Sequence, residues 1–141
     1  MLEVKAFQRI LAAVDDSEIS DKVVQCGCLL ARNTQDPLQI VHVVEGFVNV
    51  GYSISKELEQ TGKDILQKYE AKARALGLTS VQTIQACGCP TEEILNIAYK
   101  ENVDTIVVGK GGRYISTKDL LLGNTSYKLV HKSKCTVIIV K

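Results

Sequence analysis

Two short stretches near the end of the chain combine residue types suited to holding an anion. Gly109-Lys110-Gly111-Gly112 directly follows the apolar run Thr105-Ile106-Val107-Val108. Glycines there let backbone approach a ligand closely and adopt positive φ. Eleven residues after Gly112, Gly123-Asn124-Thr125-Ser126 opens an amphipathic stretch. A helix that starts there presents unpaired N–H groups and the positive end of its dipole, with amide and hydroxyl side chains beside them. A flexible connection followed by an ordinary Asn N-cap is the plainer alternative for each half alone. The two halves lie in one cationic segment, which favours the anion reading. Residues 109–141 hold seven Lys or Arg and one acid, Asp119, whereas residues 1–108 hold 10 basic and 15 acidic residues. Neither of two common phosphate motifs is present. G-x-x-x-x-G-K-[ST] is absent, and Gly109-Lys110-Gly111-Gly112-Arg113-Tyr114 lacks the third glycine of G-x-G-x-x-G and follows the fourth strand, not the first.

A second pair of interest is Asp15-Asp16, directly after Ile10-Leu11-Ala12-Ala13-Val14. A carboxylate at a strand end can accept hydrogen bonds from a sugar hydroxyl or an exocyclic amine. It can equally make a turn or cap a helix, and both readings stay open for Asp15; for Asp16 the turn is favoured. Two acids after a first strand also suit a phosphate-receiving domain. That chemistry needs an Asp at the end of the third strand, where this chain reads Gln85-Ala86-Cys87, and a Lys followed by a helix after the fifth, where it reads Lys141.

The five cysteines come as Cys26-Gly27-Cys28, Cys87-Gly88-Cys89 and Cys135, and no pair has C-x-x-C spacing. Cys26 falls on the stripe Ile19, Val23, Leu30 and reads as a buried thiol, with Cys28 on another face. Cys87 and Cys89 stand at a strand end facing a helix start, where a redox role is open. His42 reads as a strand or core histidine and His131 as a solvated helix residue. Neither is placed beside a nucleophile, so dedicated hydrolase machinery is not visible.

Elements to position these residues follow from periodicity. Ile10–Val14, Leu38–Val44, Thr105–Val108 and Thr136–Val140 are short apolar runs of the kind that doubly buried strands need, and Val81–Ala86 alternates as an edge strand does. Between them lie amphipathic stretches. The first begins after Ser17, which suits an N-cap with Glu18 in the first turn, and ends at Asn33. Glu45–Ser53 reads as a loop. Leu58, Ile65, Tyr69, Ala73 and Leu76 mark a long helix closed by Gly77. Pro90 suits the first position of a third helix, with Ile94, Ile97 and Ala98 on its apolar face. A fourth begins near Asn124. The order βαβαβαβαβ predicts a parallel sheet covered on both faces by right-handed crossovers, with ligands beyond the strands' carboxyl ends.

Composition agrees with one α/β domain over residues 1–141: 45% apolar and 23% charged residues are ordinary globular values. A net charge of +1, the absence of Trp and 5% aromatics argue against a broad nucleic-acid surface. No apolar run nears the roughly 20 residues of a membrane span, and the N-terminus lacks a secretory pattern, so the expected compartment is the cytoplasm.

Taken together, the chain resembles the universal stress protein family over essentially its whole length. The resemblance rests on Ile10–Glu18, Leu38–Val43 with His42, Gly88-Cys89-Pro90-Thr91-Glu92, and above all Val107–Val140. The family's ATP-binding branch carries G-x2-G-x9-G-[S/T]. Gly109 and Gly112 fit, as does Leu120-Leu121-Leu122-Gly123, but ten residues separate Gly112 from Gly123 and Asn124 replaces Ser or Thr. The resemblance implies strand order 3-2-1-4-5 and a Rossmann-like site for ATP, often with Mg²⁺ or Mn²⁺. Asp15 and the backbone of Ala13 and Val14 would hold the adenosine end, with Val41 near the adenine. Val108, Gly109 and Gly112 would flank ribose and phosphates. Arg113, Gly123, Asn124, Thr125 and Ser126 would lie at the phosphates. ATP would then be a ligand or slow switch, hydrolysed slowly at most, in a stress-response module. It also implies a homodimer through Thr136–Val140. The longer loop and Asn124 favour a second reading: a dimeric regulatory or interaction protein of the same fold that binds no nucleotide.

Overall fold

The computed structural model describes residues 3, 5–45, 52–111 and 123–141. Along them run β1 (Ile10–Ala13), α1 (Ile19–Ala31), β2 (Leu38–Val44), α2 (Tyr52–Ala75), β3 (Val81–Cys87), α3 (Pro90–Lys100), β4 (Thr105–Gly109), α4 (Asn124–Lys132) and β5 (Thr136–Val140). The strands pair in parallel in the order β3-β2-β1-β4-β5, the doubly wound arrangement expected from the sequence. Ala12 stands in register with Ile40 on one side and Val107 on the other, so β1 and its two neighbours form the middle of the sheet.

Alternation along these strands divides the core in two. Ile10, Ala12, Leu38, Ile40 and Val107 face α1 and α2, meeting Val23, Val24, Cys28, Leu66, Tyr69 and Ala73. Leu11, Val41, Ile106 and Val108 face the other way, against Ile94 and Ala98 of α3 and Leu129 of α4. A period of two sends successive strand residues to opposite layers, and both layers are apolar because helices cover both.

Several local readings are corrected. Ser17 does not cap α1: Glu18 holds that position in a helical conformation, and Ser17 is drawn back to Asp15. The helix stops at Ala31 rather than Asn33, with Arg32 donating its N–H to the Cys28 carbonyl. Its buried face is Ser20, Val23, Val24, Gly27, Cys28 and Ala31. Cys28 is therefore the deeply buried thiol and Cys26 the half-buried one. The cause is lateral: α1 packs on the sheet and also beside α2, which widens and turns its buried stripe beyond what Ile19, Cys26 and Leu30 define. The second helix starts at Tyr52, inside the expected loop, and buries Leu66, whereas Leu76 is exposed. Its end is as expected. Gly77 takes φ +100, its N–H reaches the Arg74 carbonyl, and Leu78 N–H reaches that of Ala73, the paired bonds of a glycine C-cap. Asn124 is not a cap either. Gly123 is, in extended conformation, with its carbonyl accepting the Tyr127 N–H at 2.9 Å.

Candidate functional site

The strand order reverses between β1 and β4, and at such a switch point the crossovers leave in opposite directions and open a crevice at the carboxyl ends. A cleft of about 340 Å³ lies there. Of the twelve residues singled out above, Ala13, Val14, Asp15, Val41, Val108, Gly109, Gly123, Asn124, Thr125 and Ser126 line it. Gly112 and Arg113 lie outside the described residues.

Asp15 sits at the start of the turn between β1 and α1. Its Oδ1 accepts the Ser17 N–H at 2.8 Å, the Ser17 hydroxyl, and the Ser20 hydroxyl at 3.0 Å. The Ser20 hydroxyl also accepts the Asp15 N–H at 2.9 Å. Asp15 is thus a turn residue. Its second oxygen, Oδ2, accepts no hydrogen bond from the described residues, so the same turn that fixes the carboxylate leaves half of it available. Beneath Ser20 lies Tyr69, only 1% exposed, and burial, with the nearby Asp21 charge, raises its hydroxyl above the usual phenol value. A chain of contacts from the α2 core through Ser20 to Asp15 therefore holds the carboxylate in place.

On the facing wall, Gly109 ends β4. It also has a packing reason to be glycine. A Cβ at Gly109 would lie 2.6 Å from Cγ2 and 3.0 Å from Cγ1 of Ile19 at the start of α1, so the close contact is with the protein's own helix. Gly109→Ala should cost about 1–3 kcal/mol through overpacking. Ile19→Ala in the same chain should return part of that loss in urea denaturation, because the two sites share the contact. Strictly additive losses would contradict this assignment.

The start of α4 closes the site. The Ser126 hydroxyl donates to the Gly109 carbonyl, and Gly123 N–H donates to the Lys110 carbonyl at 2.8 Å, which ties α4 to the end of β4. The next N–H groups, of Asn124, Thr125 and Ser126, are first-turn donors with no intrahelical partner, and their residues line the cleft. This is a cluster of oriented donors suited to an anion.

The cleft also takes in Gly111 of the glycine stretch, and Ile19, Ser20, His42, Val43, Glu45, Pro90 and Ile94, which the sequence reading did not assign to a site. Ser20 was legible in principle, as a polar residue amid the apolar stripe of α1. His42 is buried on β2, as expected of a core histidine, and also reaches the cleft wall. A Cβ at Gly62 of α2 would lie 2.9 Å from His42 Nδ1, so that glycine makes room for the imidazole. Among the described residues, no group of three or more His, Cys, Asp or Glu is placed to hold a metal ion. No helix among them is long and apolar enough to cross a membrane.

Residues 6–141 match the model of the universal stress protein family. Universal stress protein YxiE of Bacillus subtilis is 34% identical over 149 residues, covering 96% of this chain and 99% of its own length. Among solved structures, that of hypothetical protein MJ0577, from Methanocaldococcus jannaschii, aligns with a TM-score of 0.82 at 25% identity over 96% of each chain. A universal stress protein from Archaeoglobus fulgidus, solved in complex with dAMP, shares the fold with a TM-score of 0.72 at 21% identity, over 95% of this chain and 98% of its own.

Proposed function

This chain belongs to the universal stress protein family, and we propose that it acts as a stress-response module that takes up an adenine nucleotide, ATP with a divalent cation, in the cleft between β1 and β4. The observation that carries this reading is the convergence on one cleft of a half-committed carboxylate, Asp15, and the first-turn N–H groups of α4, which have no intrahelical partner. Asp15 Oδ2 would accept from a ribose hydroxyl or the adenine amine, with the backbone of Ala13 and Val14 beside it and Val41 near the ring. Val108 and Gly109 would flank the ribose. Asn124, Thr125 and Ser126 would donate to phosphate oxygens, with Gly112 and Arg113 reaching the same phosphates. The cleft volume, about 340 Å³, is in the range of small-molecule sites. The dAMP complex of the Archaeoglobus fulgidus protein supports the choice of adenine. Because no side-chain cluster among the described residues is built for a metal, Mg²⁺ or Mn²⁺ would arrive with the phosphates. In this reading ATP is a ligand or slow switch.

Thermal unfolding tests it. ATP with Mg²⁺ at a hundredfold its dissociation constant should add about 2.7 kcal/mol of stability, several degrees in Tm. No shift at millimolar ATP would remove the nucleotide and leave a dimeric regulator of the same fold.

Assembly as a homodimer through β5 is part of the proposal. Thr136-Val137-Ile138-Ile139-Val140 is the edge of the sheet, every residue is half-buried, and no charge or proline interrupts it. An apolar edge with open N–H and C=O groups invites pairing with a second copy about a two-fold axis. Ile138→Lys should shift sedimentation at tens of micromolar from dimer to monomer. A wild-type chain that sediments as a monomer would contradict the pairing.

A further inference from the structure

The chain contains Cys-Gly-Cys twice, and the fold gives the two copies opposite circumstances. Cys26-Gly27-Cys28 lies in the middle of α1, where residues two apart are rotated by about 200° around the helix axis and cannot meet. Cys28 is 1% exposed, Cys26 packs half-buried against the same core, and burial raises both thiols above their ordinary value. Gly27 has a packing reason, because a Cβ there would lie 3.1 Å from Leu38 Cδ1. Cys135 is half-buried, and its thiol donates to the Val103 carbonyl at 3.0 Å. Packing or hydrogen bonding thus accounts for three of the five cysteines.

Neither accounts for Cys87 and Cys89. Both are exposed, and neither thiol makes a hydrogen bond to the described residues. Cys87 is the last residue of β3, opposite Val44 on β2. Cys89 is the N-cap of α3, a position that favours Ser, Thr, Asp or Asn, and its side chain makes no capping bond. Between them Gly88 keeps the strand pairing, donating its N–H to the Val44 carbonyl at 2.9 Å, at φ +142, which L side chains rarely adopt. A Cβ at Gly88 would also lie 3.0 Å from Glu93 Oε1. Whatever the backbone conformation at Gly88, Cα atoms two residues apart lie at most about 7 Å apart. That is near the outer limit of the roughly 4.4–6.8 Å that a disulfide spans, so a bond closed there is strained and easily reopened.

We propose that Cys87 and Cys89 form a redox-active dithiol whose co-substrate is a low-molecular-weight disulfide of the glutathione class. The thiolate of one cysteine attacks a sulfur of the small disulfide. The small S–S bond breaks, a mixed disulfide forms, and one small thiolate leaves and takes a proton. The second cysteine's thiolate then attacks the protein-side sulfur of the mixed disulfide, closes the Cys87–Cys89 bond and expels the second small thiol. Two protein thiols are oxidised, one small disulfide is reduced to two thiols, and the protons released by the cysteines are those the leaving groups take up. The site stands apart from nucleotide binding, although Pro90, which follows Cys89, belongs to the cleft wall.

Peptide mapping tests the proposal on the intact protein, because trypsin separates the three cysteine sets: residues 23–32 hold Cys26 and Cys28, residues 75–100 hold Cys87 and Cys89, and residues 135–141 hold Cys135. The folded chain is incubated with oxidised glutathione, alkylated in denaturant with iodoacetamide, digested and weighed. The expected result is fragment 75–100 without alkyl groups and two hydrogens lighter, while the other two fragments are fully alkylated. Cys89→Ser, which places a good N-cap at α3, should trap the Cys87–glutathione mixed disulfide in place of the internal bond. Fragment 75–100 carrying two alkyl groups, or two separate glutathione adducts, or joined only to a second chain, would overturn it.

Discussion

Tyr69→Ala should lower unfolding stability by about 3–5 kcal/mol, the range for truncating a buried aromatic. Tyr69 is 1% exposed in the core between α1, α2 and the sheet, where it lies beneath Ser20 and near the Asp21–Lys72 ion pair of 2.9 Å. Its removal leaves a cavity and also frees Ser20, so the Asp15 carboxylate should loosen as well. An unfolding free energy from urea denaturation that falls by less than a quarter of that amount would show the site collapsing onto the gap or the ring carrying little of the core. Tyr69→Phe separates the hydroxyl from the ring. Burial raises the Tyr69 phenol above 10.0 in the folded chain, so the unfolded chain loses the proton first. Stability from this group is complete below pH 10 and declines as pH rises through the folded value. Cys28, raised from 9.0 by burial, acts in the same direction and begins earlier. Tyr69→Phe should therefore remove the upper part of the alkaline loss and leave the part that starts near pH 9. An unchanged alkaline profile in Tyr69→Phe would contradict the assignment.

Gly123→Val should reduce ATP affinity below detection at millimolar nucleotide. Gly123 is the buried N-cap residue of α4, and its neighbours Asn124, Thr125 and Ser126 supply the donors proposed for phosphate. A branched side chain there stands in the approach to those N–H groups. The fold should persist at a cost of about 1 kcal/mol, the scale of a poor N-cap residue. Asp15→Asn asks the complementary question. The amide oxygen can still accept from Ser17 and Ser20, so the turn is retained, but the charged acceptor is lost. A hydrogen bond to a charged group contributes about 1.5–3 kcal/mol, so affinity should fall by about ten- to a hundredfold. Calorimetry on both variants, with urea denaturation to verify folding, checks this. Wild-type affinity in a folded Gly123→Val protein would place the nucleotide elsewhere.

The sheet and most of the site were legible because they rest on local signals that tertiary packing could not reverse. Ile106–Val108 is apolar throughout and needs two covered faces, Pro90 has a fixed φ that suits a first helical turn, and Gly77 takes the positive φ that other residues avoid at a helix end. Such residues set element order and hence strand ends. What was misread depends on which neighbour, near or distant in sequence, claims each group. Cys28 rather than Cys26 is buried because α2 lies beside α1, and nothing within α1 reports that. Ser17 has the composition of a cap, but the Asp15 carboxylate lies two residues away and draws it off. Asn124 yielded the cap to Gly123 because the extended glycine carbonyl already accepts the Tyr127 N–H. Gly109 lines the cleft and also answers to Ile19, ninety residues earlier in the chain, a packing constraint that no local signal reports. Ser20 and Glu45 entered the cleft through the way α1 and β2 end beside it.

The most direct test of the central claim is an amide NMR titration of the isotopically labelled chain with ATP and Mg²⁺. The account predicts one saturable event per chain, with the largest shifts at Ala13–Asp15, Val41, Val108–Gly109 and the α4 start from Gly123 to Ser126. Unchanged spectra at millimolar ATP, or shifts confined to residues away from the β1–β4 cleft, would contradict it.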